Sequence, residues 1–149
     1  MGPWKVVVVL ALLLPPGAAA AQGKPAPRGT LALGDTVRDS LTRRDVLLAA
    51  ERTYAQEWRL AGRAGETVTI DLTSDAFDAY AFLLGPGLDT ASPQDDDSGG
   101  RCNSRLTVRL PRTGEYFVVV TSRERRATGA FALSAVAGPK PASLAPCTR

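Results

Sequence analysis

The chain has 149 residues, a formal net charge of +3, two cysteines and no histidine. Without histidine it cannot assemble a Ser-His-Asp or Cys-His catalytic arrangement. Its charges are interspersed, and the densest basic cluster, residues 123–126, is too small for the broad basic face of a nucleic-acid-binding protein. We therefore expect one domain with a single core, no enzymatic activity and no nucleic-acid partner.

The first 21 residues have the pattern of a secretory signal peptide. Lys5 precedes an apolar run at residues 6–14, and small residues ending at Ala21 follow, an order typical of exported precursors. The apolar run is about half as long as a membrane span. We expect cleavage after Ala21 rather than an uncleaved anchor, no stable membrane insertion afterwards, and a periplasmic or secreted mature protein.

Three further segments follow the expected cleavage site. Residues 22–29 contain glycine and two prolines without apolar periodicity, which predicts a flexible leader. Residues 30–137 carry the strand patterns and form the predicted domain. Residues 138–149 are rich in proline and form a C-terminal tail.

Alternation of apolar and polar residues dominates the predicted domain. In residues 66–72, Val68, Ile70 and Leu72 alternate with polar side chains, which places the apolar ones on one face of a strand. Such half-buried strands predict an antiparallel sheet with one face in the core. The same alternation, with its apolar members assigned to the core, recurs at Tyr80, Phe82 and Leu84, at Leu106, Val108 and Leu110, at Tyr116, Val118 and Val120, and at Phe131 and Leu133.

Turn signals separate these runs. Residues 61–65 predict a tight hairpin, residues 123–126 a second hairpin loop, and residues 88–100 a long polar loop. Residues 45–52 fit either one helical turn or a strand or loop, and the β pattern on both sides favours the latter. The sequence therefore predicts an all-β, jelly-roll-like antiparallel sandwich of seven to eight short strands.

Both cysteines, Cys102 and Cys147, follow the expected cleavage site. Thiols of exported proteins tend to be oxidised in pairs. A metal site would lack further ligands, because the chain has no histidine and no third cysteine. We therefore predict a disulfide that ties the C-terminal tail back to the domain.

Asp95, Asp96 and Asp97 stand together in a glycine-containing loop and offer the clustered oxygens that calcium prefers. The loop is not an EF-hand, because the twelfth position counted from Asp95 is Leu106 rather than glutamate. Two interpretations stay open, a calcium site and a solvated acidic turn, and we favour the turn.

Aromatic residues offer a candidate binding surface. Tyr54 and Trp58 lie on the same side of one predicted strand. If Tyr116 faces the core, Phe117 faces outward and contributes to an exposed apolar patch of the kind that marks partner sites. The alternatives are a core position for Trp58 and a cover over Phe117 by the C-terminal tail.

Six short motifs follow one another along the chain. They read Gly-Glu-Thr-Val-Thr-Ile-Asp-Leu, Ser-Asp-x-Phe-Asp-x-Tyr, Asp-Asp with glycines, Asn-Ser-Arg-Leu, Thr-Gly-Glu-Tyr and Thr-Gly-x-Phe-x-Leu. In this order they resemble the bacterial pre-peptidase C-terminal domain. The resemblance covers residues 31–136 and implies a jelly-roll-like sandwich that serves as a non-catalytic appendage of secreted peptidases. The motifs occupy residues 65–72, 74–80, 95–100, 103–106, 113–116 and 128–133.

The resemblance also bears on ligands. Related modules in bacterial collagenases bind collagen and calcium, the latter largely through an acidic segment before the sandwich. Residues 22–29 contain no acidic residue, so that calcium site does not carry over. We predict a monomeric, non-catalytic, exported binding or accessory module for another protein or for an envelope or matrix polymer such as a polysaccharide. The alternative hypothesis is a calcium-stabilised structural domain with ligands at Asp95, Asp96 and Asp97; no other cofactor is expected.

Overall fold

The structure is a computed structural model that describes residues 26–148. The predicted signal peptide, its cleavage site and the first half of the predicted leader lie outside these residues. Among the described residues, no helix has the length and apolar character needed to cross a membrane.

Regular secondary structure in residues 26–148 consists of β-strands, which confirms the predicted all-β class. Seven strands have six or more residues, and the other three have two or three. The strands are β1 (Gly29–Thr30), β2 (Thr36–Leu41), β3 (Val46–Leu48), β4 (Thr53–Gly62), β5 (Thr67–Thr73), β6 (Ala79–Leu84), β7 (Gln94–Asp95), β8 (Ser104–Arg109), β9 (Gly114–Ser122) and β10 (Gly129–Ala137).

The strands form two sheets with the core between them. The six-stranded sheet has the order β1-β4-β9-β6-β7, and β3 also pairs with β4. The four-stranded sheet has the order β2-β10-β5-β8. All strand pairs are antiparallel except β1 with β4. This is the sandwich that the alternating sequence predicts.

The two predicted hairpins are wrong. Residues 61–65 join β4 of the six-stranded sheet to β5 of the four-stranded sheet, and residues 123–126 join β9 to β10 in the same manner. Both turns carry the chain across the core instead of pairing the strands that flank them. A short turn between two alternating strands is compatible with either arrangement, because in both cases the apolar faces meet in the core.

The core contains the inward members of the alternating strands. Val68, Ile70 and Leu72 of β5 are fully buried, as their period predicts. Tyr116 is also fully buried, and its hydroxyl donates a hydrogen bond to the Arg112 carbonyl at 2.6 Å, which satisfies its polar group. The remaining predicted core residues of β8, β9 and β10, and Leu110 just after β8, are also buried: Leu106, Val108, Leu110, Val118, Val120, Phe131 and Leu133.

The ambiguous segment at residues 45–52 forms the short strand β3 and a turn back into β4, which confirms the strand-or-loop prediction. The end of the predicted leader lies against the sheet. Arg28 donates its backbone N–H to the Glu57 carbonyl at 2.7 Å, and Gly29 begins β1 beside Trp58. Among residues 26–148, Arg28 of the predicted leader therefore already pairs with the sheet.

The C-terminal tail lies across the outer face of the four-stranded sheet. Cys102 and Cys147 form the predicted disulfide, with their Cα atoms 4.5 Å apart. Asp71, on the outer face of β5, forms ion pairs with Arg105 at 2.5 Å and with Lys140 of the tail at 2.7 Å. Polar contacts and one covalent bond thus cover much of this face.

Candidate functional site

Strand β6 is oriented opposite to its prediction. Its core-facing residues are Ala79, Ala81 and Leu83, all fully buried. The bulky residues that we assigned to the core lie on the outer face of the six-stranded sheet, where they are half-buried. These outward residues are Tyr80, Phe82 and Leu84.

This orientation places small side chains where β6 comes close to the other sheet. Some Cα atoms of β6 lie within 8 Å of Cα atoms in β5 and β8, whereas packed sheets are usually about 10 Å apart. Small inward side chains fit such a gap. Alternation gives the period of a strand but not which of two apolar faces meets the other sheet.

Two neighbouring strands extend the apolar outer face. Val119 of β9 is paired with Phe82, and on its other side with Glu57 of β4. Although it points away from the core, Val119 is only 3% exposed, and Ala55 of β4 is 7% exposed. Val119 and Ala55 are therefore covered by the larger side chains around them.

The shielding residues form the walls of a groove. Val46 and Leu48 of β3, at the edge of the sheet, and Arg28 contribute to these walls. Two cavities of about 340 Å³ each lie here and share Leu48, Phe82 and Leu84 in their linings. We call this the outer groove, and each cavity is large enough to take a bulky side chain or a small ligand. Its apolar lining consists of Val46, Leu48, Ala55, Phe82, Leu84 and Val119.

The side chain of Gln56 lies on the same side of β4 as the core residue Trp58, and it therefore points away from the outer groove. Its Nε2 donates hydrogen bonds to the Ser40 carbonyl at 2.9 Å and to Asp45 Oδ2 at 3.2 Å. The residue is 4% exposed, and its Oε1 has no hydrogen-bond partner among residues 26–148. An unsatisfied buried acceptor costs about 1–3 kcal/mol, and this acceptor lies on the side of β4 that faces β2 of the other sheet.

Two arginine-rich segments contribute Arg44 and Arg123 to the lining of the outer groove. Residues 42–52 and 123–126 lie side by side, joined by a hydrogen bond from the Arg126 N–H to the Arg52 carbonyl at 2.8 Å. Together the two segments carry six arginines and three carboxylates. Five of these arginines form no ion pair within residues 26–148, namely Arg43, Arg44, Arg52, Arg125 and Arg126.

The sixth arginine lies on the aromatic end of the groove. The Arg123 guanidinium carbon is 5.3 Å from the centre of the Tyr80 ring, and its Nε pairs with Asp96 at 3.1 Å. Burial raises the pKa of the Tyr80 hydroxyl, which contacts Gln94 Oε1. Tyr80 is therefore neutral at physiological pH and is held between a cation and an amide.

The aromatic residues proposed from the sequence have different surroundings. Trp58 is 8% exposed and belongs to the core, so it offers no binding surface and that prediction is wrong. Tyr54 is half-buried, and its carbonyl accepts a hydrogen bond from Thr121 Oγ1 at 2.8 Å. Phe117 lies on the outer face of β9, half-buried and paired with Leu84. Of the three, Phe117 is on the face that carries the outer groove.

The acidic loop holds two of its three carboxylates in separate interactions. Asp95 Oδ2 accepts hydrogen bonds from the backbone N–H groups of Ser98 at 2.9 Å and Arg105 at 2.8 Å. Its Oδ1 accepts from the Ser98 hydroxyl at 2.5 Å. The Asp96 carboxylate forms an ion pair with Arg123. Asp95 thus shapes the turn that leads into β8.

The third carboxylate, on Asp97, lies apart from these interactions. Oxygen atoms of Asp97 and Asp78 and the sulfur of Cys147 lie within 4.8 Å of one another. The Cys147 sulfur is bonded in the disulfide and cannot act as a thiolate ligand. The structure therefore does not gather Asp95, Asp96 and Asp97 around one point, and calcium binding stays a prediction.

Sequence analysis missed most of the outer groove. Its lining comes from β3, β4, β6 and β9, strands that are distant in sequence, so no local motif marks it. One signal was present in β6, where Tyr80, Phe82 and Leu84 alternate with Ala79, Ala81 and Leu83. The face with the smaller side chains is the one that can pack closely against the other sheet.

Comparison with known proteins finds solved structures whose fold is similar to that of this chain. Neither protein-family models nor curated proteins match the chain. The pre-peptidase C-terminal domain of collagenase from Bacillus anthracis is similar in structure, with a TM-score of 0.53 and 12% identity over 76% of this chain and 99% of that one. PliG from Aeromonas hydrophila, a periplasmic lysozyme inhibitor of g-type lysozyme, has a TM-score of 0.50 and 17% identity over 76% and 100% of the two chains.

The PliG of Salmonella Typhimurium is similar to the same degree, with a TM-score of 0.50 and 15% identity over the same shares of the two chains. These identities support similarity of fold and nothing finer. The resemblance to the pre-peptidase C-terminal domain is confirmed at this level, because the chain adopts the β-sandwich fold that this domain shares with the PliG inhibitors.

Proposed function

We propose that this protein is a non-catalytic, exported binding module that holds a partner protein in the outer groove. The observation that carries the proposal is the orientation of β6. Its bulky side chains, on Tyr80, Phe82 and Leu84, line a surface cavity while its alanines face the core. Apolar surface of this kind, rimmed by charged residues, is typical of protein interaction sites.

The similar folds support a binding role. One belongs to an accessory domain of a collagenase and two belong to inhibitors of g-type lysozyme, and inhibitors act by binding another protein. The chain also has no histidine, so a binding role explains more of its residues than catalysis does.

Export is supported by two observations. The disulfide between Cys102 and Cys147 suits an oxidising compartment, and the two PliG proteins are periplasmic. The sequence pattern of the first 21 residues agrees with this location.

A site-specific photo-crosslinker tests the proposal. Phe82 is replaced by benzoylphenylalanine in the exported protein within the organism that produces it, and Arg38, exposed on the outer face of the other sheet, is replaced in a matched control. We expect irradiation to give one discrete protein adduct from position 82 and none from position 38. Adding Leu48→Asp should abolish the adduct, because it places a charge in the groove.

Two results would contradict the proposal. Equal adducts from both positions would mean that the outer groove has no preference for the partner. A polysaccharide smear rather than a protein band would assign the groove to an envelope or matrix polymer. Circular dichroism of each variant checks that the fold is retained.

A further inference from the structure

We propose that the rim of the sandwich at β3 binds reversibly to a membrane surface that contains anionic lipids. We call this rim, residues 42–52 together with the adjoining loop 123–126, the basic hairpin. The inference goes beyond the proposed function, because it adds a second ligand and does not depend on a partner in the outer groove. It is carried by an exposed apolar run and by the arginines that flank it.

The apolar run is residues 46–50, Val-Leu-Leu-Ala-Ala. Of these residues Leu48 alone is half-buried, and the other four are exposed. Val46 is 38% exposed and Leu47 45%, and the described chain has just one other exposed large hydrophobic side chain, Leu144 of the C-terminal tail. The fold therefore leaves this run in contact with water, and an apolar environment that covered it would lower its free energy.

The run lies where a flat surface can reach it. Among the described strands β3 pairs with β4 alone, so it forms an edge of the six-stranded sheet, and residues 49–52 turn back into β4. Side chains alternate along a strand, so Val46 lies on the side of the outer groove and Leu47 on the other side. A surface that approaches this edge contacts both side chains, and no part of it enters the groove.

The basic hairpin carries six arginines, all exposed, and three carboxylates. Five of the arginines form no ion pair within residues 26–148. Two of the carboxylates are held by the fold, because Asp45 accepts from the Thr42 N–H at 2.7 Å and Glu124 from the Asp78 N–H at 3.3 Å. The chain has 18 basic and 15 acidic residues, so those outside the basic hairpin number 12 and 12, and the net charge of +3 lies in this surface.

Two arginines of the basic hairpin occupy backbone positions that favour glycine or asparagine. Arg52 has φ 61° and Arg126 has φ 55°, and a left-handed conformation costs a residue with a Cβ atom about 1 kcal/mol. The Arg126 N–H donates to the Arg52 carbonyl at 2.8 Å, which keeps both arginines at one place. A ligand that contacts these guanidinium groups accounts for arginine at both positions.

An anionic lipid surface matches the apolar run and the arginines together. Each arginine near such a surface contributes about 1 kcal/mol of binding, and apolar side chains beside it enter the boundary between headgroups and acyl chains. A soluble polyanion would engage the arginines alone and leave residues 46–50 exposed. A second copy of this chain would bring like charges together, and a nucleic acid would require stacking aromatics, of which the basic hairpin has none.

Co-sedimentation with vesicles tests the inference on the disulfide-bonded exported protein. One set of vesicles is phosphatidylcholine alone, and the other contains about 30% phosphatidylglycerol. We expect the anionic vesicles to bind at least about tenfold more tightly at about 0.05 M salt, and about 0.5 M salt to abolish the difference.

The variants remove charge and apolar surface separately. Arg52→Asn with Arg126→Asn should weaken binding to anionic vesicles about tenfold or more without lowering the melting temperature, because asparagine tolerates positive φ. Arg38→Asn with Arg109→Asn removes the same charge from exposed positions of the other sheet and should change binding by less than about twofold. Leu47→Ser should lose about fivefold for vesicles and leave binding to heparin, a soluble polyanion, unchanged.

Four results would overturn the inference. Absence of binding to anionic vesicles at low salt would do so directly, and equal losses for the two arginine pairs would show that only net charge acts. Full vesicle binding by Leu47→Ser would assign the basic hairpin to a polyanionic polymer, and sedimentation as a dimer that Leu47→Ser dissociates would assign it to a second copy. The crosslink from position 82 tests the proposed function separately, so either proposal can fail while the other stands.

Discussion

The two outer faces of this sandwich differ in how they are covered. On the four-stranded sheet the C-terminal tail lies over polar residues and is held by the disulfide and by Asp71, which pairs with Arg105 and Lys140. On the six-stranded sheet, apolar residues of β3, β4, β6 and β9 line the outer groove. One face is covered in part by the tail, over β5 and β8, and we call it the closed face; the other, the open face, retains apolar surface that a partner can bury.

This difference separates stability from binding. Interactions on the closed face are internal and are present in every copy of the folded protein, so breaking them should lower the free energy of unfolding. Side chains of the open face are only half-buried in the free protein, so truncating them should affect a partner more than the fold. The following experiments test this separation.

Removal of the disulfide should have the largest effect. Cys102→Ala with Cys147→Ala opens a loop with a sequence separation of 45, which in the chain-entropy model costs about 4 kcal/mol. Thermal unfolding should show a midpoint lower by about 10 °C or more. The position-82 crosslink should persist below the new midpoint, because the tail lies on the other face. An unchanged midpoint under reducing conditions would contradict the assigned role of the tail.

Two adjacent leucines of β6 give a matched test of its orientation. Leu83 is fully buried and Leu84 is half-buried in the groove. Leu83→Ala should lower the free energy of unfolding by about 3 kcal/mol, and Leu84→Ala by about 1 kcal/mol. Partner capture should respond in the opposite order, with the greater loss for Leu84→Ala. Denaturant unfolding measures the loss in free energy of unfolding for each variant. A larger loss for Leu84→Ala than for Leu83→Ala would mean that Leu84, and not Leu83, faces the core.

Asp71 tests whether the polar contacts of the closed face stabilise it. The carboxylate is 9% exposed and accepts from two cations, so Asp71→Asn should cost about 2 kcal/mol. Limited proteolysis should then cleave the tail before it cleaves the domain. Arg109→Gln, a change of an exposed residue of β8 that leaves Asp71 and its cations in place, serves as the control. Equal proteolysis of the two variants would mean that the ion pairs of Asp71 do not anchor the tail.

A smaller effect concerns pH. The hydrogen bond from Arg28 holds the pKa of Asp39 below its ordinary value. A carboxyl group whose pKa is lowered in the folded protein stabilises the fold at pH values above its ordinary pKa. That stabilisation disappears as the pH falls through the lowered pKa. The gap in melting temperature between the wild type and Arg28→Gln should therefore be present at neutral pH and close below about pH 4. A gap that widens in acid would contradict this.

Calcium should have the smallest effect. Asp95 and Asp96 already interact with Ser98, Arg105 and Arg123, so we expect no change in the melting temperature between chelator and about 1 mM calcium. A site with an affinity near 10 μM would instead add about 2.7 kcal/mol at that excess. A clear rise would favour the calcium-stabilised hypothesis, and Asp97→Asn would then test the remaining carboxylate.

Particular elements explain where sequence reasoning succeeded. In β5, β8 and β10 one parity is clearly the more apolar, so the hydrophobic effect leaves a single orientation. Strand β9 carries apolar residues on both faces, and there Tyr116 faces the core and Phe117 the outer face, as predicted. Two cysteines in a chain with the pattern of an exported protein can form only one intramolecular pair, and the structure has that pair.

Other elements depended on the opposite sheet. Trp58 fits the core because Gly29 lies over its ring, a contact between strands far apart in sequence. The turn at residues 61–65 crosses between sheets although its composition suits a hairpin. Neither outcome is encoded in a local pattern, because each depends on which distant strand lies opposite.

By itself the sequence determined the all-β class, the period of each long strand and the disulfide pairing, because these follow from local alternation and from the cysteine count. Only the tertiary structure decided which face of β6 is buried, and with it the location of the outer groove. Both faces of that strand are apolar, so burial alone does not distinguish them. The narrow gap to β5 and β8 admits the alanines and turns the aromatic side chains outward.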